Sequence, residues 1–295
     1  RASGKTSQEG DYSLPISAIM AAAVAPWELM AAHFPETPFL MAGLFGGPVV
    51  FGGATPMRNA LTLATQNKAE SIQGLYGRVF QGTWRGGYVG WLPPTMSAAP
   101  QFVVMGPVYH MYAGAFGSPI AAIAATGATE TMITFGAQAR NAQIAFNATV
   151  PKEQQIRNLQ SPYKPFGCGA AAHMVRNVVG LSGIRVVSPP LQRALTDAAD
   201  SSGMNPGPKA MSVVGDLLGC CVSGTLSMPF HQLYNYTVVT PSIHKLPAPE
   251  FGRACVDFWK RMYLETNAET GAVRLSRTLR RDLLLRVSYS MAIFA

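Results

Sequence analysis

Six ionisable residues stand inside or at the edges of otherwise apolar stretches of this 295-residue chain: Arg58, Glu130, Arg140, Asp216, His231 and Arg281. A charge placed there is costly unless it faces protein or a water-filled cavity, so each is a candidate for binding chemistry. Arginine suits an anion, because its planar fork of donors matches a carboxylate or phosphate. Arg193, Arg281 and Arg140 are the candidate contacts to a small anionic solute. A competing reading has them near the loop ends of their stretches, where long basic side chains snorkel to headgroups, and their placement favours it.

Other chemistries find less support. His110 and His231 sit among Tyr109, Tyr112, Tyr234 and Tyr236 with no second ligand at metal spacing, and they read as packing residues. Cys168, Cys220, Cys221 and Cys255 lack CxxC spacing, so neither zinc nor a disulfide framework is indicated. Gly46-Gly47 and Gly86-Gly87 are not followed by Lys and Ser or Thr, which argues against a phosphate loop of a nucleotide hydrolase. No nucleophile, base and acid stand at motif spacing. The expectation is a protein that is not an enzyme, with no catalytic residue, no metal and no cofactor.

The elements that must hold these residues are set by how charge is sorted. Of 23 Lys and Arg residues, 20 fall into blocks at 58–87, 140–193 and 231–286. Between them no Asp, Glu, Lys or Arg occurs over 37–57, 86–129 or 217–244. A helix needs about 20 apolar residues to cross the hydrocarbon core, so these runs have room for one, two and one spans. Basic loops gathered on one face of a bilayer explain the sorting. The turn cluster Gly114-Ala115-Phe116-Gly117-Ser118-Pro119 predicts a hairpin within the middle run. Weaker spans follow Pro189-Pro190 and fill 276–295. A charged fraction of 13%, against about 25% for a soluble domain, agrees. The net charge of +8 lies in separated loops without a nucleic-acid motif, so anionic lipid is the expected partner and nucleic acid is not. The chain opens at Arg1, which fits a mature protein whose targeting peptide has been removed.

A weak threefold repeat runs through the chain. Gly87-Tyr-Val-Gly-Trp-Leu-Pro93-Pro94 overlays Gly183-Ile-Arg-Val-Val-Ser-Pro189-Pro190, and Gly271 opens a third copy without the prolines. Upstream stand Tyr76-Gly77, Phe166-Gly167 and Phe251-Gly252, each expected to open a short helix in a basic loop. With Pro56, Phe135 and Pro229 as anchors, small pairs recur at Ala42 and Gly46, Ala121 and Ala125, and Gly215 and Gly219, a spacing that lets helices approach closely in lipid.

Three copies of a two-span unit, with a kinking proline on the first helix and a basic loop behind it, resemble the mitochondrial carrier family. The resemblance covers 39–295, with repeats of about 39–116, 117–206 and 207–295 and an N-terminal extension over 1–38. It implies an all-α membrane protein of six transmembrane helices in three pseudo-symmetric repeats, with short matrix-side helices, in the mitochondrial inner membrane. It also implies cardiolipin at Gly77, Gly87, Gly167, Gly183, Gly252 and Gly271, where helix N-termini would meet phosphate. In that family an acid two residues after the proline and a base five after it form the ion pairs of one gate. Here the acid positions hold Arg58, Ala137 and His231, and the base positions Leu61, Arg140 and Tyr234. The opposite gate is lost at Tyr109-His110 and Ala113. A gate without ion pairs has little to exchange between two states. The leading expectation is therefore a transport-deficient accessory subunit of a respiratory-chain complex or ATP synthase, partnered by its other subunits. The alternative is a divergent carrier of a small anionic metabolite, and a soluble enzyme is the third class.

Overall fold

The computed structural model describes residues 28, 30–204, 207–267 and 270–294. Most of the extension over 1–38, including the apolar stretch 16–27, lies outside the described residues. The fold is mostly helical. Helices α1 (Thr37–Met41), α2 (Gly47–Gly53) and α3 (Thr55–Ala64) make a first rod, with a π turn over Ala42–Gly46. Amphipathic α4 (Ile72–Phe80) and the single turn α5 (Trp84–Gly87) lead to a second rod, α6 (Leu92–Phe116), and a third, α7 (Pro119–Asn147). Helices α8 (Ala170–Ser182) and α9 (Ser188–Ser201), joined by a π turn, form the fourth rod, and α10 (Pro208–Val239) the fifth. After α11 (Ala248–Tyr263), the antiparallel strands β1 (Leu264–Thr266) and β2 (Val273–Leu275) precede the sixth rod, α12 (Arg277–Phe294).

Consecutive rods pack against one another, and the sixth returns to the first to close a ring. The first, third and fifth also touch each other. The hairpin between the second and third rods falls where the turn cluster predicts it. Gly117 adopts φ +60° and Ser118 Oγ accepts from Ala121 N to cap α7. The first rod bends by 47° between α2 and α3, beside Pro56. A ring nitrogen cannot donate to the preceding turn, so the chain turns there.

Among the described residues, two helices are long and apolar enough to cross a membrane, Pro119–Asn147 and Lys209–Val239, and the bent first rod makes a third if counted as one span. The other rods fall short for visible reasons. The second carries Pro93, Pro94, Pro100 and Pro107 but no charge; the fourth is broken and carries Arg176, Arg185 and Arg193; the sixth carries five charged residues from Arg277 to Arg286.

Three long connections meet at one end of the ring. Gln81 Nε2 donates to Ala148 O at 2.7 Å and Lys68 Nζ to Leu264 O at 3.4 Å. Their contents differ from the repeat pattern. Tyr76-Gly77 lies within α4, which starts at Ile72 because Ser71 Oγ accepts from Gly74 N at 3.1 Å. Phe251-Gly252 lies within α11, which Pro247 introduces. Residues 148–169 form no α-helix, only a 3-10 turn at Lys152–Gln154. A ladder on α7 at Gly136, Arg140, Gln143 and Asn147 takes up this connection's backbone instead. Asn147 brackets Ile156 through both its amide and its carbonyl at 2.8 and 2.9 Å, Gln143 Oε1 accepts from Gln160 N at 2.6 Å, and Arg140 donates to Gln160 O at 3.1 Å. Backbone groups satisfied by side chains have no need of a helix.

The small-residue pairs are also shifted in the first copy. A Cβ on Gly46 would have nothing within 4 Å among the described residues, whereas one on Gly43 or Gly47 would meet Val103 at 3.1 Å or the Phe102 ring at 2.5 Å. The π turn adds a residue and rotates the packing face by one position. In the third copy Gly219 meets the Gly183 carbonyl and Gly215 meets Gln192, as close packing requires.

Candidate functional site

Polar residues from all six rods gather at the centre of the ring. Glu130 of the third rod accepts from Gln101 Nε2 of the second at 2.7 Å. Arg176 of the fourth rod reaches Gln138 Oε1 at 3.2 Å, Asn177 Oδ1 at 2.8 Å, His173 Nε2 at 3.0 Å and, on the fifth rod, His231 Nδ1 at 3.1 Å. Arg286 of the sixth rod donates to Ser227 Oγ from Nε and Nη2, both at 3.2 Å. Arg58 of the first rod donates to Tyr289 OH at 3.2 Å and to Phe51 O at 3.3 Å, and its guanidinium lies 5.0 Å from the Phe51 ring centroid. Arg58, Arg176, Arg286 and Glu130 are all buried.

A guanidinium has only donors, so the ring nitrogens facing Arg176 carry lone pairs. His173 and His231 are therefore neutral, each with its proton on the far nitrogen. Those nitrogens, His173 Nδ1 and His231 Nε2, have no hydrogen-bond partner among the described residues, and neither has Arg58 Nη1.

Beside this cluster lies a cavity of about 270 Å³, lined among others by Gln101, Glu130, Gln138, Arg176, Arg286 and Tyr289. Ion pairs among the described residues join Arg78 with Glu70, Arg274 with Glu265 and Arg281 with Asp282. None of them involves Arg58, Arg176 or Arg286. Two buried guanidinium groups, those of Arg176 and Arg286, and the exposed Arg185 thus line a chamber whose one carboxylate among the described residues is Glu130, an arrangement whose missing counter-charge an anion would supply.

The arginines singled out in the sequence do not meet there. Arg193 is exposed on α9, and Arg140 serves the connection after α7. Arg281 is structural. Its Nη1 donates to Asn67 O at 2.6 Å and Glu70 O at 2.9 Å, Nη2 to Ala64 O at 2.9 Å, and Nε to Asp282 Oδ1 at 2.8 Å. It caps the carbonyls at the end of the first rod and closes the ring. Asp216 ties the fourth rod to the fifth by accepting from Ser188 and Gln192. Of the residues flagged inside apolar stretches, Arg58, Glu130 and His231 do converge. Arg176, expected in an exposed basic loop, is instead buried, because α8 enters the ring rather than lying outside it. Arg286 was within reach of sequence reasoning as a basic residue ten positions into the last apolar stretch.

The six glycine candidates for lipid are scattered. Gly77 and Gly252 lie inside helices, Gly87 ends α5, Gly183 sits in the fourth rod's π turn, Gly167 packs on Phe135, and Gly271 takes φ +66° in the β1–β2 turn. None lies in the first turn of a long helix, where backbone N–H groups are free for a phosphate. A cleft of about 590 Å³ does form at the loop end between the start of α4 and the start of α12, where Lys68, Arg277, Arg280 and Arg281 outnumber the acids Glu70 and Glu265.

Outside the rods, burial raises the Tyr263 phenol and the Cys255 thiol. A hydrogen bond from Ser276 at 2.6 Å holds the Glu265 carboxyl below its ordinary range, with Lys68, Arg274 and Arg277 adding to the effect. No family model and no curated protein matches the chain.

Proposed function

We propose that this chain is a carrier-like integral protein of the mitochondrial inner membrane that has lost alternating access and serves as an accessory subunit of a respiratory-chain complex or ATP synthase. One observation carries the reading: at the loop end the first, third and fifth rods, which hold the gate positions, are tied by neutral amide side chains to backbone carbonyls, and none of the ion pairs among the described residues joins these three rods. Asn59 donates to Gly87 O and Val89 O at 3.1 and 3.0 Å, Asn141 to Gly90 O at 3.0 Å, and Gln143 to Val238 O at 3.2 Å. The buried acids among the described residues are Glu130 and Asp282, and neither stands at a gate position. Six rods in ring order, the bend at Pro56 and the basic loops at one end support the carrier likeness. The cleft around Lys68, Arg277 and Arg280 suits an anionic headgroup such as that of cardiolipin.

A second reading keeps transport. Arg176 and Arg286, in place of Arg193 and Arg281, would contact a small anionic metabolite, and the cavity beside them favours it. Both readings share an anion-binding chamber and differ on whether the sealed end opens. Purified protein in liposomes decides between them. Absence of saturable exchange of labelled dicarboxylates and phosphate, together with comigration in a multi-subunit complex after mild solubilisation, is the expected result. Saturable exchange would overturn the accessory reading in favour of the second.

A further inference from the structure

Glu130 is the one carboxylate in the chamber among the described residues, and its surroundings give it a role that neither reading above assigns. Its Oε1 is held by Gln101 Nε2 at 2.7 Å, it shares the cavity with Arg176 and Arg286, and it interacts electrostatically with both. It forms no ion pair with either, since no guanidinium nitrogen lies within the 4.0 Å that defines one. The arginines are solvated by neutral acceptors: Gln138, Asn177, His173 and His231 for Arg176, and Ser227 for Arg286. The carboxylate therefore acts on them at a distance, as the resident counter-charge of an otherwise cationic chamber.

We propose that the chamber binds a small oxyanion near Arg176 and Arg286 and that Glu130 takes up one proton as the anion enters. The proposal rests on the anion-binding chamber of the preceding section. An incoming anion and an ionised Glu130 compete for the same guanidinium field and repel each other where little water screens them. Protonating Glu130 removes the repulsion and leaves the cations to the ligand. Linkage makes the effect reciprocal: a proton on Glu130 tightens anion binding, and a bound anion tightens the proton. With one proton taken up per anion, apparent affinity weakens by up to about tenfold for each unit rise in pH.

Every rod contributes a group that bears on this titration. The second presents neutral Gln101, the first Arg58, the fourth Arg176, His173 and Arg185, the fifth His231, the sixth Arg286 and Tyr289, and the third Glu130 itself with the hydroxyls of Thr131 and Thr134. The histidines are the rival titrating groups. Each already gives its lone pair to Arg176, and a second proton would have to displace that bond.

Sulfate is the probe, because its charge does not change across the range used. Binding to the purified full chain in detergent is measured by titration calorimetry from about pH 6 to about pH 8, in two buffers of different ionisation enthalpy, so that proton uptake is read directly. The wild type is expected to take up a fraction of a proton per sulfate that rises toward one at the upper end of the range, and to lose affinity as pH rises. Glu130→Gln should bind tightly at every pH with no uptake. Gln101→Leu, which removes the donor favouring the carboxylate, should carry tight binding to higher pH and provides a check independent of the Glu130 variant's folding. Wild-type binding without proton uptake, or an unchanged pH slope in Glu130→Gln, overturns the role of Glu130 alone. If sulfate binds neither protein, or if Arg286→Met binds it as the wild type does, the anion chamber falls and this proposal falls with it.

Discussion

Asn141 Nδ2 lies 3.3 Å from Asn59 Oδ1, joining the third rod to the first across 82 residues of sequence. The pair sits at the narrow end of the ring and fastens the chain between α5 and α6 to both rods, with Asn59 on Gly87 O and Asn141 on Gly90 O. Gly90 takes φ +73° and would bring a Cβ within 2.9 Å of the Asn141 amide, so the close approach needs its missing side chain. Replacing Asn141 by Leu strands the Gly90 carbonyl and the Asn59 oxygen. The expected loss is about 1–3 kcal/mol, the cost of leaving a buried polar group unpaired. Thermal unfolding in detergent measures it, and an unchanged midpoint would show that this contact does not hold the seal.

Arg281 offers a larger effect. Arg281→Met removes the caps on Ala64, Asn67 and Glu70 and leaves Asp282, which is fully buried, without its cation. Breaking a buried pair from one side costs about 3–5 kcal/mol. Arg281→Lys should cost less, keeping the charge while losing the fork that reaches several carbonyls. Adding Asp282→Asn to Arg281→Met should recover part of the loss. A double-mutant cycle with no coupling between the two positions would remove Arg281 from its place as the ring's closing staple.

Which features were legible in the sequence follows from how local their causes are. The hairpin at Gly117 and the bend at Pro56 are set by residues at the site itself, through a left-handed glycine, a capping serine and a missing donor. Four rods were foreseeable from uncharged runs and two only weakly, from Pro189-Pro190 and the end of the chain, and the composition of the second, fourth and sixth departs from that of an ordinary span. The chamber was half visible: Arg58, Glu130 and His231 are conspicuous in apolar surroundings. Arg176 was not, because its placement depends on α8 entering the ring after a connection, 148–169, that the ladder holds along α7 and that forms no α-helix of its own. That ladder is spaced four, three and four residues apart, a helical face that could have been read as a docking strip for the loop. Arg281 differs for the opposite reason, since apart from the adjacent Asp282 its partners are backbone carbonyls, which leave no mark on a sequence.

Gly136 tests the ladder. A Cβ there would stand 2.6 to 2.7 Å from the carbonyl oxygens of Ser161, Pro162 and Lys164, all backbone atoms with little room to move. Gly136→Ala should therefore destabilise by about 1–3 kcal/mol, the usual cost of overpacking, despite the better helix propensity of alanine. Gly46→Ala is the control, since nothing among the described residues lies within 4 Å of its Cβ position, and it should be neutral or stabilising. Limited proteolysis should cut within 151–165 faster in Gly136→Ala than in the wild type. Equal cutting would mean the loop does not lie along α7.

The Glu265 carboxylate gives a pH-dependent prediction outside the rods. It accepts from Ser276 Oγ at 2.6 Å and so links β1 to the residue that precedes the sixth rod. Because Ser276 and the nearby Lys68, Arg274 and Arg277 favour the ionised form, its folded-state proton affinity is below that of the unfolded chain. The sign follows: the stabilisation is present at neutral pH, starts to fade below the ordinary glutamate range near about 4, and is lost as pH falls through the depressed folded value. Amide exchange of Ser276, whose N–H donates to Tyr263 O at 2.9 Å, reports on the link. At about pH 7 the wild type should protect this amide more than Glu265→Gln does, and near about pH 3 the two should converge. A protection ratio that stays constant over this range would show that the hairpin is held by its backbone pairing alone.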